Sequence, residues 1–447
     1  MRLAASILTG ALAMTAQTID LTKEPPTPPL ADYSLPPTQQ RTLSNGLKAI
    51  LVEDSRYPMV EIRMGFAAGS KYDPAGRRGL AETAAILLKE GAGTRDARQF
   101  AEALAGIGAD LNASSGMDSL TISGYVLAEH TGKLLELLAD MVLRPAFAET
   151  ELRLRKQNRI QELAAERSQS STLADEKFAE ALFSGHPYGR MLPDPESIGR
   201  ITRGDLVKFH QDHMIPNAAW LVMVGPVGKA AAVWRELEKQ FGKWERKDPP
   251  PAPEAKFPPA RRSITLVDRP GSVQADVRLG RVAVPRLDPD YLPLAVAAAI
   301  LGGGASSRLF ANFREKEGYA YNVGSYVVPY KDTAVIEGQT EVRNDVIGPA
   351  LNSLMNEFKR MGAAPVGAAE LEAVKNYLSG NFVMSLETPS GVASQLLSAR
   401  LNGLPPDYLE TYVKRIRAVT ADQVRNAAAK YLDPAAAALV VVGDAKA

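Results

Sequence analysis

The sequence predicts an α+β protein built from two homologous domains, each a mainly antiparallel sheet with helices on one face. Three observations predict it. The order strand-strand-helix-helix-strand-strand-helices-strand runs through the first half and returns in the second, a layered α+β pattern. A self-overlay shifted by 218 residues, Thr202 onto Thr420, lays Thr202–Gly225 over Thr420–Gly443 without a gap. Asp205 then falls on Gln423, Pro216 on Pro434, and the strand LVMVG on LVVVG, while a similar shift brings Glu151-Leu152 onto Glu370-Leu371. Between the halves, residues 245–262 hold six prolines among charges with little to bury, which reads as a linker. Two such halves can enclose a cavity.

Taken in order, residues 1–16 join Arg2 to an apolar run ending in small residues, the pattern of a secretory signal. Export to a periplasm or the cell exterior is expected. Residues 17–40 are a proline-rich leader. The first domain, 41–244, opens with Asn45-Gly46 between two strand-like runs, a hairpin signal. Residues 59–68 alternate as a half-buried strand, and GLAETAAILLKE (79–90) reads as a buried helix stopped by Gly91. A helix over 94–107, strands over 110–115 and 119–127, and helices over 130–143 and 149–184 follow. His186-Pro187-Tyr188-Gly189 forces a turn. Thr202 caps a helix to Met214, and 218–225 is an apolar strand. The second domain is 263–447.

Composition narrows the chemistry. At 447 residues, 45% hydrophobic and 23% charged, the chain has material for two or three cores. Its 52 basic and 51 acidic residues nearly cancel, so nucleic acid and anionic membrane surfaces have no global attraction. No segment has the length of a membrane span. Without cysteine there is no disulfide, thiolate zinc site or cysteine nucleophile. The four histidines are His130, His186, His210 and His213, and the i, i+3 pair on the 202–214 helix lacks an accompanying carboxylate motif, so a structural surface role is expected.

The stretch that draws attention is Leu301–Tyr326, a glycine-rich turn, an amphipathic helix with a charged end, and alternating tyrosines. Gly302, Gly303 and Gly304 lack the Lys-Ser or Lys-Thr of a phosphate loop, so they read as a turn for close helix packing that also contacts an extended peptide. Arg314 suits the last turn of a helix, and Tyr319 and Tyr321 would share one strand face.

GSKYDPAGRRGLAE (69–82), HPYG (186–189), GGGASSRLF (302–310), REKEGYAY (314–321) and the two VVG-type strand ends occur in an order and spacing that resemble the insulinase-like or pitrilysin-like zinc metallopeptidases, in their short two-domain bacterial form related to mitochondrial processing peptidase. The resemblance spans residues 41–443. It implies a helix carrying H-x-x-E-H, two imidazoles for zinc and a glutamate to activate water. Those positions hold Glu82, Ala85 and Ile86 instead, and the family's third ligand position holds Glu162, a leftover polar residue of the helix. One carboxylate cannot hold zinc, so no cofactor is expected on this chain.

The resemblance further implies that Arg314 and Tyr321 face a zinc site across a chamber of which this chain forms half. A guanidinium and a phenol there can donate to a substrate carbonyl or the oxyanion that develops on it. The expected function is a non-catalytic subunit of a heterodimer. A homologous partner would carry the intact H-x-x-E-H and its zinc, and an extended peptide would be the substrate. Two alternatives stand beside it: a scaffold or peptide-binding protein of the same fold, and a peptidase with unconventional ligands.

Overall fold

The structure is a computed structural model that describes residues 34–253 and 256–446. The signal at 1–16 and the leader as far as residue 33 lie outside the described residues. The leader's last residues are already folded, because the first strand starts at Thr38.

The first sheet holds β1 (Thr38–Thr42), β2 (Lys48–Glu53), β3 (Met59–Phe66), β4 (Asp110–Ser115), β5 (Leu120–Leu127) and β6 (Ala219–Gly225), in the order β1-β2-β6-β3-β5-β4. The second holds β7 (Ser263–Asp268), β8 (Gln274–Val282), β9 (Val323–Pro329), β10 (Ala334–Arg343) and β11 (Ala438–Gly443), in the order β7-β11-β8-β10-β9. With β1 set aside the two orders coincide place for place. In each, one pair runs parallel, β2 with β6 and β7 with β11, and the remaining pairs are antiparallel.

The helices repeat likewise. The first half has α1 (Leu80–Leu87), α2 (Ala97–Ala105), α3 (Thr131–Leu143), α4 (Glu149–Ser168), α5 (Ser170–Leu182), α6 (Pro195–Arg200), α7 (Arg203–His213) and α8 (Ala230–Phe241). The second has α9 (Tyr291–Gly302), α10 (Arg308–Phe310), α11 (Ile347–Ala363), α12 (Ala368–Met384), α13 (Pro389–Leu401), α14 (Tyr408–Arg417) and α15 (Ala421–Tyr431). The overlaid helices α7 and α15 start with the same device, a capping box of Thr202 with Asp205 and of Thr420 with Gln423.

Asn45-Gly46 makes the expected hairpin. Gly46 has φ +93°, which suits glycine, and the Asn45 amide donates to the carbonyls of Phe241 and Trp244, tying the turn to the end of α8. The single helix expected over 149–184 is two. Gln169 adopts extended angles between α4 and α5, where the run Ser168-Gln169-Ser170-Ser171 offers no apolar stripe to continue.

The helices are not confined to one face of each sheet. Strands β6 and β11 are apolar on both faces and need cover on both. In the first half one face packs on α1, α3 and α8. The other presents Ile50, Val52, Val222 and Val224 to Val392, Ala393, Leu396 and Leu397 of α13, from the second half. Reciprocally, Val335, Val440 and Val442 of the second sheet are covered by Ala174, Phe178 and Leu182 of α5, from the first. The two halves thus exchange equivalent helices, α5 for α13. At Gly65 of β3 an added Cβ would lie 2.6 Å from Leu401, so α13 sits directly on the backbone there.

The HPYG turn joins the same seam. Tyr188, almost wholly buried, donates to Asp118 at 2.6 Å, shares that carboxylate with Lys71 at 2.7 Å, and stacks on Tyr330 of the second half at 4.6 Å. Residues 245–262 form no regular element among those described, yet they are pinned: Phe257 stacks on His186 at 4.5 Å. That aromatic anchor was not visible in the run's composition.

Candidate functional site

The Leu301–Tyr326 stretch begins as α9, a helix with no polar face whose buried side chains run from Tyr291 to Gly302. Of its glycines, Gly302 serves a helix-on-strand contact rather than a helix pair. A Cβ on Gly302 would meet the Ser325 amide of β9 at 2.2 Å, and one on Gly303 would meet Ala299 of its own helix at 2.7 Å. Gly304 has open space around it. Ser307 then caps α10, and Arg308 is fixed by both oxygens of Glu370, at 2.8 and 2.7 Å.

From Ala311 to Lys316 the chain winds into a π turn, closed by the Glu317 amide donating to the Asn312 carbonyl at 2.9 Å. Such wider turns hold an extra residue and recur at functional sites. Phe313 points into the core and is fully buried, which aims Arg314 outward. Gly318, at φ +62°, ends the turn.

Arg314 and Tyr321 meet. The guanidinium carbon lies 4.1 Å from the centre of the Tyr321 ring and Nη1 donates to the Tyr321 carbonyl at 3.2 Å; the ring itself is 80% exposed. The Phe310 ring centre lies 5.2 Å from the same guanidinium carbon. Tyr319 and Tyr321 do not share a strand face, because β9 starts only at Val323. Tyr319 is half-buried, edge-on to Phe313 at 5.8 Å, while Tyr321 stands in solvent. A cleft of about 670 Å³ lies on the π turn, lined by Arg308, Asn312, Lys316, Glu357 and Arg360, and neither Arg314 nor Tyr321 lines it.

The helix that carries positions 82, 85 and 86 is α1, and the GSKYDPAGRRGLAE stretch explains how it is set. Gly69 approaches the Met117 carbonyl so closely that a Cβ would lie 2.2 Å from it. The Asp73 carboxylate accepts from the Gly79 and Ala81 amides at 2.7 and 2.8 Å, and Gly79 takes φ +90° at the helix start. Burial pushes the Asp73 carboxyl up to about 7 against those hydrogen bonds, which favour its charged form.

Of the three motif positions, Ala85 is fully buried, Ile86 is half-buried, and Glu82 faces α4. Glu162 is no idle leftover. Arg155 Nη2 donates to Glu82 at 2.9 Å while its Nη1 reaches both oxygens of Glu162 at 3.0 Å. Arg159, 5% exposed, donates to Glu82 at 3.2 Å and to Glu166 at 2.7 Å. The site that resembles a zinc centre thus holds two guanidinium groups among three carboxylates. The sequence signal was present but not read: positions 155, 159, 162 and 166 form one stripe of a helix, two cations followed by two anions.

Zinc does not fit this site, since two of the family's ligand positions are a carboxylate already paired with arginines and an apolar side chain. Among the described residues no three His, Asp or Glu side chains are grouped to hold a metal ion. The histidines are dispersed. His130 lies beside Glu129, and His186 accepts from the Tyr188 amide at 3.1 Å. His210 pairs with the Val142 carbonyl at 2.7 Å, and His213 packs between Tyr72 and Phe209. These last two are partly buried packing residues, not the surface pair expected; burial lowers the pKa of both. No helix among the described residues is long and apolar enough to cross a membrane.

Fold and site together define a duplicated two-sheet α+β protein with an arginine–carboxylate cluster between α1 and α4. Residues 48–196 match the family model described as Insulinase (Peptidase family M16), and 200–378 match that of the Peptidase M16 inactive domain. An uncharacterized zinc protease of Rickettsia bellii is 30% identical over 352 residues, 77% of this chain and 83% of that protein. One from Bacillus subtilis is 25% identical over 358 residues, 79% and 86% of the two chains. The crystal structure of a peptidase M16 inactive domain from Pseudomonas fluorescens superposes with TM-score 0.84 and 26% identity, covering 91% of this chain and 98% of that one. A protease from Helicobacter pylori shares the fold at TM-score 0.83 and 21% identity, covering 91% and 100%. The chain belongs to the M16, or insulinase-like, peptidase family.

Proposed function

We propose that this chain is the non-catalytic half-site subunit of a heterodimeric M16 zinc peptidase. The observation that carries the reading is the exposed Arg314–Tyr321 pair, held on a π turn, in a chain whose own motif positions 82 and 86 lack histidine. A homologous partner with an intact H-x-x-E-H supplies the zinc and the activated water. This chain supplies half of the chamber and the polarising groups. A guanidinium has five N–H donors, and among the described residues Arg314 spends one on the Tyr321 carbonyl. The others and the Tyr321 hydroxyl are free to donate to the scissile carbonyl oxygen of an extended peptide and to the charge that grows there. Gly302, first of the Gly302–Gly304 run, lies against β9, along which an extended strand of substrate would run. Export of the chain, from its first residues, belongs to the same proposal.

Co-expression with a partner bearing the intact motif tests this. Peptide turnover should fall in the Arg314→Ala and Tyr321→Phe complexes, and unchanged turnover in both would sink the assignment. One observation favours a second reading, a scaffold without any peptidase role: residues 200–378 match a domain described as inactive. A chain that pulls down no zinc-bearing homologue would support that scaffold.

A further inference from the structure

We infer that Arg155 is a resident cation that has taken the place of a metal ion, and that it, as much as the missing histidines, keeps zinc out of this chain. Its guanidinium bridges Glu82, at the position of the family's first histidine, and Glu162, at that of the third ligand, with contacts of 2.9 to 3.0 Å. These two carboxylates come from different helices, α1 and α4, so the guanidinium ties together the same two elements that a metal would. Its side chain is only 13% exposed, and Arg159, itself paired with Glu82 and Glu166, lies alongside.

The arrangement is charge-paired but leaves one negative charge in excess. Glu82, Glu162 and Glu166 carry three negative charges against the two positive charges of Arg155 and Arg159. With two guanidinium groups already hydrogen-bonded among these carboxylates, both oxygens of Glu162 are occupied. A zinc ion there would have to displace Arg155 and would then lie within a few ångströms of a cation. At about 5 Å and an intermediate dielectric that repulsion lowers affinity by a hundredfold or more. Restoring the two histidines is therefore not sufficient to restore the metal. This inference stands whether or not the partner proposal does.

The experiment restores ligands and removes the cation separately. Glu82→His with Ile86→His gives two imidazoles at i, i+4 beside Glu162, and Ala85 is left alone because it is fully buried and its family counterpart is not a ligand. Each variant is loaded with zinc chloride and dialysed, its folding checked by circular dichroism, and its bound zinc measured by elemental analysis. The double variant should stay essentially zinc-free; adding Arg155→Gln should raise retained zinc by about a hundredfold in affinity and raise the melting temperature with metal. Arg155→Lys in the same background keeps the charge and should still exclude zinc, which separates charge from a loss of folding. Zinc bound equally well with Arg155 present would overturn the inference. So would a folded Arg155→Gln variant that stays zinc-free, since the guanidinium would then not be what excludes the metal.

Discussion

The Arg314 guanidinium carbon lies over the Tyr321 ring, 4.1 Å from its centre, and Nη1 also holds that residue's carbonyl at 3.2 Å, so each residue positions the other. Each substitution therefore removes a different part of the pair. In the complex with a zinc-bearing partner, Arg314→Ala should lower kcat about a hundredfold. Tyr321→Phe keeps the stacked ring and loses only the hydroxyl, so a fall of about tenfold is expected. Both residues are exposed, and the melting temperature should hardly move. Steady-state kinetics beside thermal denaturation separates the two effects.

The exchanged helices carry a stability prediction. Phe178 of α5 and Leu397 of α13 are 4% and 3% exposed against the sheet of the opposite half. Phe178→Ala or Leu397→Ala should each cost about 3 kcal/mol through lost burial and a cavity. Because each tie joins both halves, urea unfolding should remain a single transition at lower midpoint, followed by circular dichroism and tryptophan fluorescence together.

Gly302 offers a sharper test of how the site is mounted. Gly302→Val places carbon where the Ser325 amide lies 2.2 Å from even a Cβ, so α9 must move off β9. A loss of about 3 kcal/mol is expected. Gly304→Ala, in open space, should be neutral by the same thermal measurement.

Stability should depend on pH through Glu337. Burial and the neighbouring Asp175 carboxylate push its carboxyl up to about 7, with Arg278 opposing. A group that binds its proton more tightly when folded contributes stability that is full below its unfolded value, about 4.5, and is lost as pH rises through about 7. Its contribution should shrink by up to about 3 kcal/mol between about pH 5 and pH 8. Glu337→Gln should remove that part of the slope. Asp73 titrates in the same window, so the difference between wild type and variant in urea titrations is the readout.

The duplication was legible because sheet strands and capped helices leave local marks. Thr202 and Thr420 cap as expected, and the apolar ends at 221–225 and 439–443 are central strands. The exchange of α5 and α13 was not legible, since an apolar stripe says that a helix is covered and not which sheet covers it. Nor was the π turn, whose sequence is that of an ordinary helix while its extra residue is set by burying Phe313. The tyrosines were misread for the same reason: the alternation at 319 and 321 looked like a strand, but Phe313 holds Tyr319 and Arg314 holds Tyr321. The Arg155 stripe was fully written in the sequence, but its meaning needed the position of Glu82 on another helix.

The swap of α5 for α13 also changes what counts as a subunit. A protease that nicked the chain between residues 245 and 262 would sever the backbone without freeing either fragment, because each fragment keeps a helix buried in the other. With Phe178, Leu182, Leu396 and Leu397 each burying about 2 kcal/mol of apolar surface across the seam, the two pieces should co-purify as a tight complex and reassemble when expressed from separate genes. The chain is in that sense already a dimer of its own halves.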